Sequence, residues 1–118
     1  LGIKNYRFSL RWSRILPAGT GKVNEKAVQM YRDMILCMKE NGIRPFITMF
    51  HWEFPYELFK KGGWLNDEVV QWFGEYAKVV AENFSDLCTD FITINEPQCA
   101  IGLGHLSGVQ RPFRWHTI

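Results

Sequence analysis

Residues 6–12 read Tyr-Arg-Phe-Ser-Leu-Arg-Trp, an alternation of period two that puts Tyr6, Phe8, Leu10 and Trp12 on one face and Arg7, Ser9 and Arg11 on the other. This predicts a strand with one apolar and one polar side. In an open doubly wound sheet the polar side would lie beneath a helix. A closed barrel turns it inward, towards the interior and the mouth. The stretch therefore favours a barrel, although by itself it also fits a half-exposed edge strand.

The rest of the chain supplies the partners. Asn24 can cap a helix whose apolar positions Val28, Tyr31, Ile35 and Met38 recur at spacings of three and four. Gly42 suits the position just past its end. "FITMFHW" (residues 46–52) is an apolar run of strand length, as expected of a parallel strand buried on both faces. After a loop at "KKGGW", Asn66 can cap a second helix with the stripe Val69, Phe73, Tyr76, Val80 and Phe84, with Asp67 and Glu68 in its first turn. "TDFITINE" (residues 89–96) closes the series. The order strand, helix, strand, helix, strand predicts an α/β fold with parallel strands and crossover helices.

Composition narrows the function classes. The 118 residues are 47% hydrophobic and carry 14 basic against 12 acidic groups with no run of either sign, which argues against a nucleic-acid surface. No apolar stretch reaches the about 18 residues of a membrane span. Cys37, Cys88 and Cys99 form no close pair and read as reduced thiols, which predicts a cytoplasmic setting. The opening Leu1-Gly2-Ile3-Lys4 lacks a Met and runs at once into a strand, so a piece of a longer polypeptide is expected.

In parallel α/β folds functional groups collect at the carboxyl ends of strands. Here those ends carry Arg7 to Arg14, then His51-Trp52-Glu53, then Asn95-Glu96. A ring to pack on a pyranose, an amide and an imidazole to bind hydroxyls, and a carboxyl to protonate a glycosidic oxygen suit a sugar site. Plainer readings stand beside this one. Glu96 before Pro97 fits a solvated strand exit, His51 a core imidazole, Arg7 a partner for a structural carboxylate, and Trp12, Trp52 and Trp64 core packing. His105 and His116 are expected at the surface. His51 and Glu53 without a third ligand do not make a metal site, and neither "GTGKV" nor "GLGHLSG" has a nucleotide-binding spacing.

Four ordered stretches, "YRFSLRWSRILPAGTGKVN", "GIRPFITMFHWEFPYEL", "GGWLND" and "FITINEP", resemble the second to fourth barrel strands of the family 1 glycoside hydrolases, the β-glucosidases and 6-phospho-β-glycosidases. The resemblance covers residues 1–110 and implies a partial (β/α)8 barrel over residues 1–118. It also implies a retaining two-glutamate mechanism on terminal β-D-glucosides, whether oligosaccharide or aryl and alkyl glucoside, with no cofactor. By resemblance Glu96 is the acid/base, Asn95 and His51 bind hydroxyls of one sugar, Arg7 lies close to the nucleophile, and Trp52 walls the pocket. A 6-phospho-β-glucosidase and a non-catalytic carbohydrate-binding barrel are the alternatives.

The sequence departs from the family pattern at Glu53 and Phe54, where Asp and Leu are usual, and after Gln110, where residues 111–118 form an atypical tail. The first strand's sugar-binding glutamine and the nucleophile of the "ENG" motif have no counterpart in it. The remainder of the barrel is therefore expected to be needed for folding and activity.

Overall fold

A computed structural model describes residues 2–106, so the tail at 111–118 and His116 lie outside the described residues. Three strands, β1 (Asn5–Ser9), β2 (Arg44–Phe50) and β3 (Phe91–Ile94), form one sheet in the order β1-β2-β3. Both pairings are parallel, with Phe8 opposite Ile47, Ser9 opposite Thr48 and Phe50 opposite Ile94. Strand alternation then gives Arg7, Ser9 and Thr48 a shared face. The opposite face carries Phe8, Leu10, Ile47 and Met49 into the core with the helices.

β1 is shorter than its alternation predicts. Trp12 does not continue the strand but opens a short helix, α1 (Trp12–Ile15), begun by the bond from Ile15 N to Arg11 O at 3.2 Å. Burial explains the departure. Leaving the strand lets the Trp12 indole sink to zero exposure, stack on Tyr76 with ring centres 4.8 Å apart, and donate Nε1–H to Gly19 O at 2.8 Å. Tyr6, counted with the apolar face, stays half exposed, its ring stacked near that of Phe8.

Helix α2 (Glu25–Glu40) follows its expected cap, since Asn24 Oδ1 accepts from Ala27 N at 3.4 Å. Val28, Tyr31 and Ile35 are its buried stripe. Gly42, with φ +69, lets Ile43 N bond back to Met38 O at 2.9 Å and so ends the helix. Two features of the next connection differ from expectation. The loop after β2 contains helix α3 (Tyr56–Lys60) and a 3-10 turn (Gly63–Leu65), and the second long helix, α4, spans Val69–Phe84. Asn66 does not cap α4: its side chain accepts from Glu68 N at 2.9 Å, an Asx turn that precedes the helix. Trp72 joins Val69, Tyr76, Val80 and Phe84 as the buried stripe, while Phe73 is only half buried.

Tyr76 joins α4 to the sheet, donating its hydroxyl to Met49 O at 2.9 Å. Burial pushes this phenol well above its ordinary range, so it remains a donor at all physiological pH values. After β3, α5 (Pro97–Cys99) runs into a π-helical segment, Ala100–Leu106. Among the described residues no helix is long and apolar enough to cross a membrane.

Two glycines separate backbone and packing effects. A Cβ on Gly19, at φ +84, would stand 2.4 Å from Leu58 Cγ, whereas one on Gly74, within α4, meets nothing within 4 Å. Gly19→Ala is expected to destabilise the intact protein by about 2–4 kcal/mol from left-handed strain and overpacking. Gly74→Ala should stabilise it by about 0.5–1 kcal/mol. Urea unfolding of both variants checks the pair, and equal midpoints would contradict the placement of Leu58 under Gly19.

Candidate active site

The parallel register brings the three strand ends to one rim. Asn95 N donates to Phe50 O at 2.8 Å and Leu10 N to Thr48 O at 2.9 Å, so the pairing extends just past the strands. From β1 come Arg7 and Ser9, from β2 Thr48, His51 and Trp52, and from β3 Asn95 and Glu96.

Hydrogen bonds link most of these side chains. Arg7 donates from Nε to Thr48 Oγ1 at 2.8 Å and from Nη2 to Asn95 Oδ1. Asn95 Nδ2 lies 3.1 Å from His51 Nε2, and His51 Nδ1 lies 2.8 Å from Ser9 Oγ. Trp52 Nε1 donates to the Asn95 carbonyl at 2.9 Å. Thr48 and Asn95 are the buried polar residues of the described chain, and both obtain partners here. Arg7 and His51 remain exposed. The row offers a guanidinium, an amide and an imidazole along one rim, groups that hydrogen-bond neutral hydroxyls.

Backbone strain marks the same positions. Trp52 (φ 66) and Glu96 (φ 42) are the non-glycine residues with positive φ among those described, each costing about 1–3 kcal/mol. At Glu96 the left-handed turn, immediately before Pro97, takes the chain from β3 into α5. It leaves the Glu96 side chain exposed, outside the row that joins Arg7, Asn95 and His51. Its carboxylate accepts from the Cys99 thiol at 3.3 Å, a bond that pushes the thiol's pKa up.

Of the residues expected at a sugar site, Arg7, His51, Trp52 and Asn95 are brought together and Glu96 stands beside them. Trp52 touches the row through its N–H as well as its ring. Among the described residues Arg7 pairs with a hydroxyl and an amide, not with a structural carboxylate. Glu53, half buried, accepts from Ser13 N at 3.3 Å and from Ser13 Oγ, binding the end of β2 to α1.

His105 is half buried, not a surface residue. It lines an apolar hollow of about 500 Å³ with Phe50, Trp64, Ile94 and Pro97, and that hollow shares no residue with the hydrogen-bonded row. Sequence reasoning passed over Thr48, the bond from Cys99 to Glu96 and the pairing of Ser9. The signal for Thr48 was its hydroxyl, alone among the apolar side chains of "FITMF".

Residues 1–115 match the family model for glycosyl hydrolase family 1. The chain is 50% identical over 112 residues to Beta-glucosidase A of Thermotoga maritima, covering 95% of this chain and 25% of that protein. It is 44% identical over 112 residues to Beta-glucosidase A of Acetivibrio thermocellus, again covering 95% and 25%. A solved structure of the Thermotoga maritima family 1 β-glucosidase superposes with a TM-score of 0.93 at 50% identity, covering 94% of this chain and 25% of that one. The chain thus spans about a quarter of the length of these relatives. So close a likeness in both sequence and backbone, along nearly every residue, settles where the βαβαβ unit comes from: the chain belongs to glycosyl hydrolase family 1 and forms part of its (β/α)8 barrel.

Proposed function

We propose that the protein carrying this segment is a retaining β-glucosidase and that Glu96 is its acid/base. The observation that carries the reading is the exposed Glu96 carboxyl next to Asn95, whose amide is held by Arg7 at the rim of three strand ends. The relatives named β-glucosidases support it, as does a Thermotoga maritima β-glucosidase structure in complex with deoxynojirimycin.

In this mechanism Glu96 gives its proton to the glycosidic oxygen as the C1–O bond breaks and a second glutamate forms an ester with C1. The ester carries no charge, so Glu96 can then take a proton from the water that releases the sugar. His51 and Asn95 hold hydroxyls of the bound sugar, Arg7 holds Asn95, and Trp52 closes the pocket wall. A cytoplasmic setting belongs to the same reading and rests on the free thiols of Cys37, Cys88 and Cys99.

Glu96→Gln in a full-length barrel carrying this segment is expected to slow hydrolysis of alkyl glucosides about 10²–10⁴-fold, the usual worth of general acid catalysis. Nitrophenyl glucosides, whose leaving groups need little protonation, should lose less in the bond-breaking step. Steady-state kinetics on both substrates checks this, and equal losses would argue against the role.

A chromogenic panel of β-glucoside, β-galactoside and 6-phospho-β-glucoside tests the substrate, with the glucoside expected to turn over fastest. Turnover of the phosphorylated sugar alone would replace the proposal with a 6-phospho-β-glucosidase, and binding without any turnover would point to a carbohydrate-binding barrel.

The second glutamate lies outside this chain in our reading. A retaining site needs two carboxyls about 5–5.5 Å apart, and Glu53 is engaged by Ser13. The edges of β1 and β3 also lack strand partners among the described residues. The 118-residue polypeptide produced alone should therefore hydrolyse no glycoside and show no cooperative monomeric melt, as read by calorimetry and ultracentrifugation. Turnover together with a sharp monomeric transition would refute this.

A further inference from the structure

Four consecutive residues after β2 divide between two supports. His51 and Trp52 belong to the rim: His51 Nε2 lies 3.1 Å from Asn95 Nδ2, and the Trp52 indole N–H reaches the Asn95 carbonyl at 2.9 Å. Glu53 and Phe54 belong to α1. The Glu53 carboxylate accepts from Ser13 N at 3.3 Å and from Ser13 Oγ, while the buried Phe54 ring stands edge-on to Trp12 with ring centres 5.4 Å apart. The backbone changes hand between the two pairs, at Trp52 with φ 66. A bulky residue keeps that conformation only where its surroundings leave it no alternative.

The support under Glu53 is firm. Ser13 lies between Trp12 and Ile15, both at zero exposure, so a carboxylate tied to Ser13 is tied to the core. Among the described residues Glu53 forms no ion pair. Both of its oxygens are engaged by one serine of another element, 40 positions away. Apolar contact of the kind Phe54 makes is non-directional, whereas a pair of hydrogen bonds fixes an orientation.

We infer that Glu53 is a positioning residue for the sugar site, whose clamp on Ser13 holds the left-handed turn at Trp52 and so places His51 and the Trp52 ring at the rim. The inference deepens the glycosidase reading and rests on it for the identity of the ligand. Glu53 itself touches no sugar in this scheme. Released from Ser13, the turn can relax towards negative φ, which draws the indole off the Asn95 carbonyl and moves the imidazole beside it. Holding these groups in place before a ligand arrives lowers the cost of binding.

Two measurements on a full-length barrel carrying this segment test the inference. The first is the ¹H–¹⁵N signal of the Trp52 indole N–H, assigned by its loss in Trp52→Phe. Glu53→Ala is expected to shift this signal, and an unshifted signal would overturn the inference. Should Glu53→Ala fail to fold, Glu53→Gln keeps the shape with a single acceptor oxygen and takes its place, with the same shift expected and the same outcome overturning the role. This readout needs no substrate.

The second is kinetic, at a temperature below the melting of every variant. Glu53→Ala should lower kcat/KM for a β-glucoside about five- to tenfold, chiefly through KM, the worth of one ordinary hydrogen bond. Ser13→Ala, which keeps the backbone N–H, should lose less. The double variant should lose no more than Glu53→Ala alone, because both changes open one clamp. Ser13→Thr keeps the hydroxyl and should restore kcat/KM to within about twofold. A Glu53→Ala protein with a lower melting temperature but an unchanged KM would make Glu53 a brace for stability alone, and losses that multiply in the double variant would also overturn the role. Turnover by the unaltered barrel is the separate test of the glycosidase reading, since the indole signal responds whether or not any glycoside is hydrolysed.

Discussion

The bond from Arg7 to the Asn95 amide orders the rim of this sheet. It joins the first strand to the third across the middle one, and Thr48 on that middle strand takes the guanidinium's Nε–H. A buried amide without partners would be costly, and a guanidinium held by one contact would swing freely in solvent. Each supplies what the other lacks. Asn95, so held, turns its NH2 to His51 and receives the Trp52 indole N–H on its backbone carbonyl. Two adjacent left-handed residues, Trp52 and Glu96, persist because this set of bonds over-determines the chain around them.

Beneath the rim, the sheet and helices are joined by aromatic packing. Trp12 lies flat on Tyr76 and edge-on to Phe54 and Phe73, with ring centres 5.4 and 5.7 Å away. One indole thus touches residues from the loop after β2 and from α4, and its N–H is satisfied by Gly19 O. The polar rim is built on this apolar base, and the Tyr76 hydroxyl on the Met49 carbonyl links the base to the strand that carries His51 just past its end.

Much of this was legible in the sequence, and the lapses have physical causes. Alternation found β1, the apolar run found β2, and helical spacing found α2 and α4, because each pattern reflects burial on a regular surface. Trp12 misled because alternation says which side chains want burial, and not where the strand ends; a helical turn buried it better. Asn66 misled because the same side chain can cap a helix or close an Asx turn, and the choice depends on where the chain goes next. His51, Asn95 and Glu96 stood out as polar residues ending apolar runs. The pairing of Ser9 with His51 did not, since a small hydroxyl on a strand takes its meaning from a partner 42 positions away. His105 looked like a loop residue, and only tertiary packing put it beside Phe50 and Trp64.

Strand order in this sheet is the order of the chain, each strand pairing in parallel with the next. No strand has to wait for a later one to be inserted beside it, so loop closure proceeds in steps of one crossover at a time. The Arg7–Asn95 bond spans the first and third strands, so it requires both pairings to be in register. The row of polar groups is thus a product of both pairings together, and its presence marks all three strands as being in register.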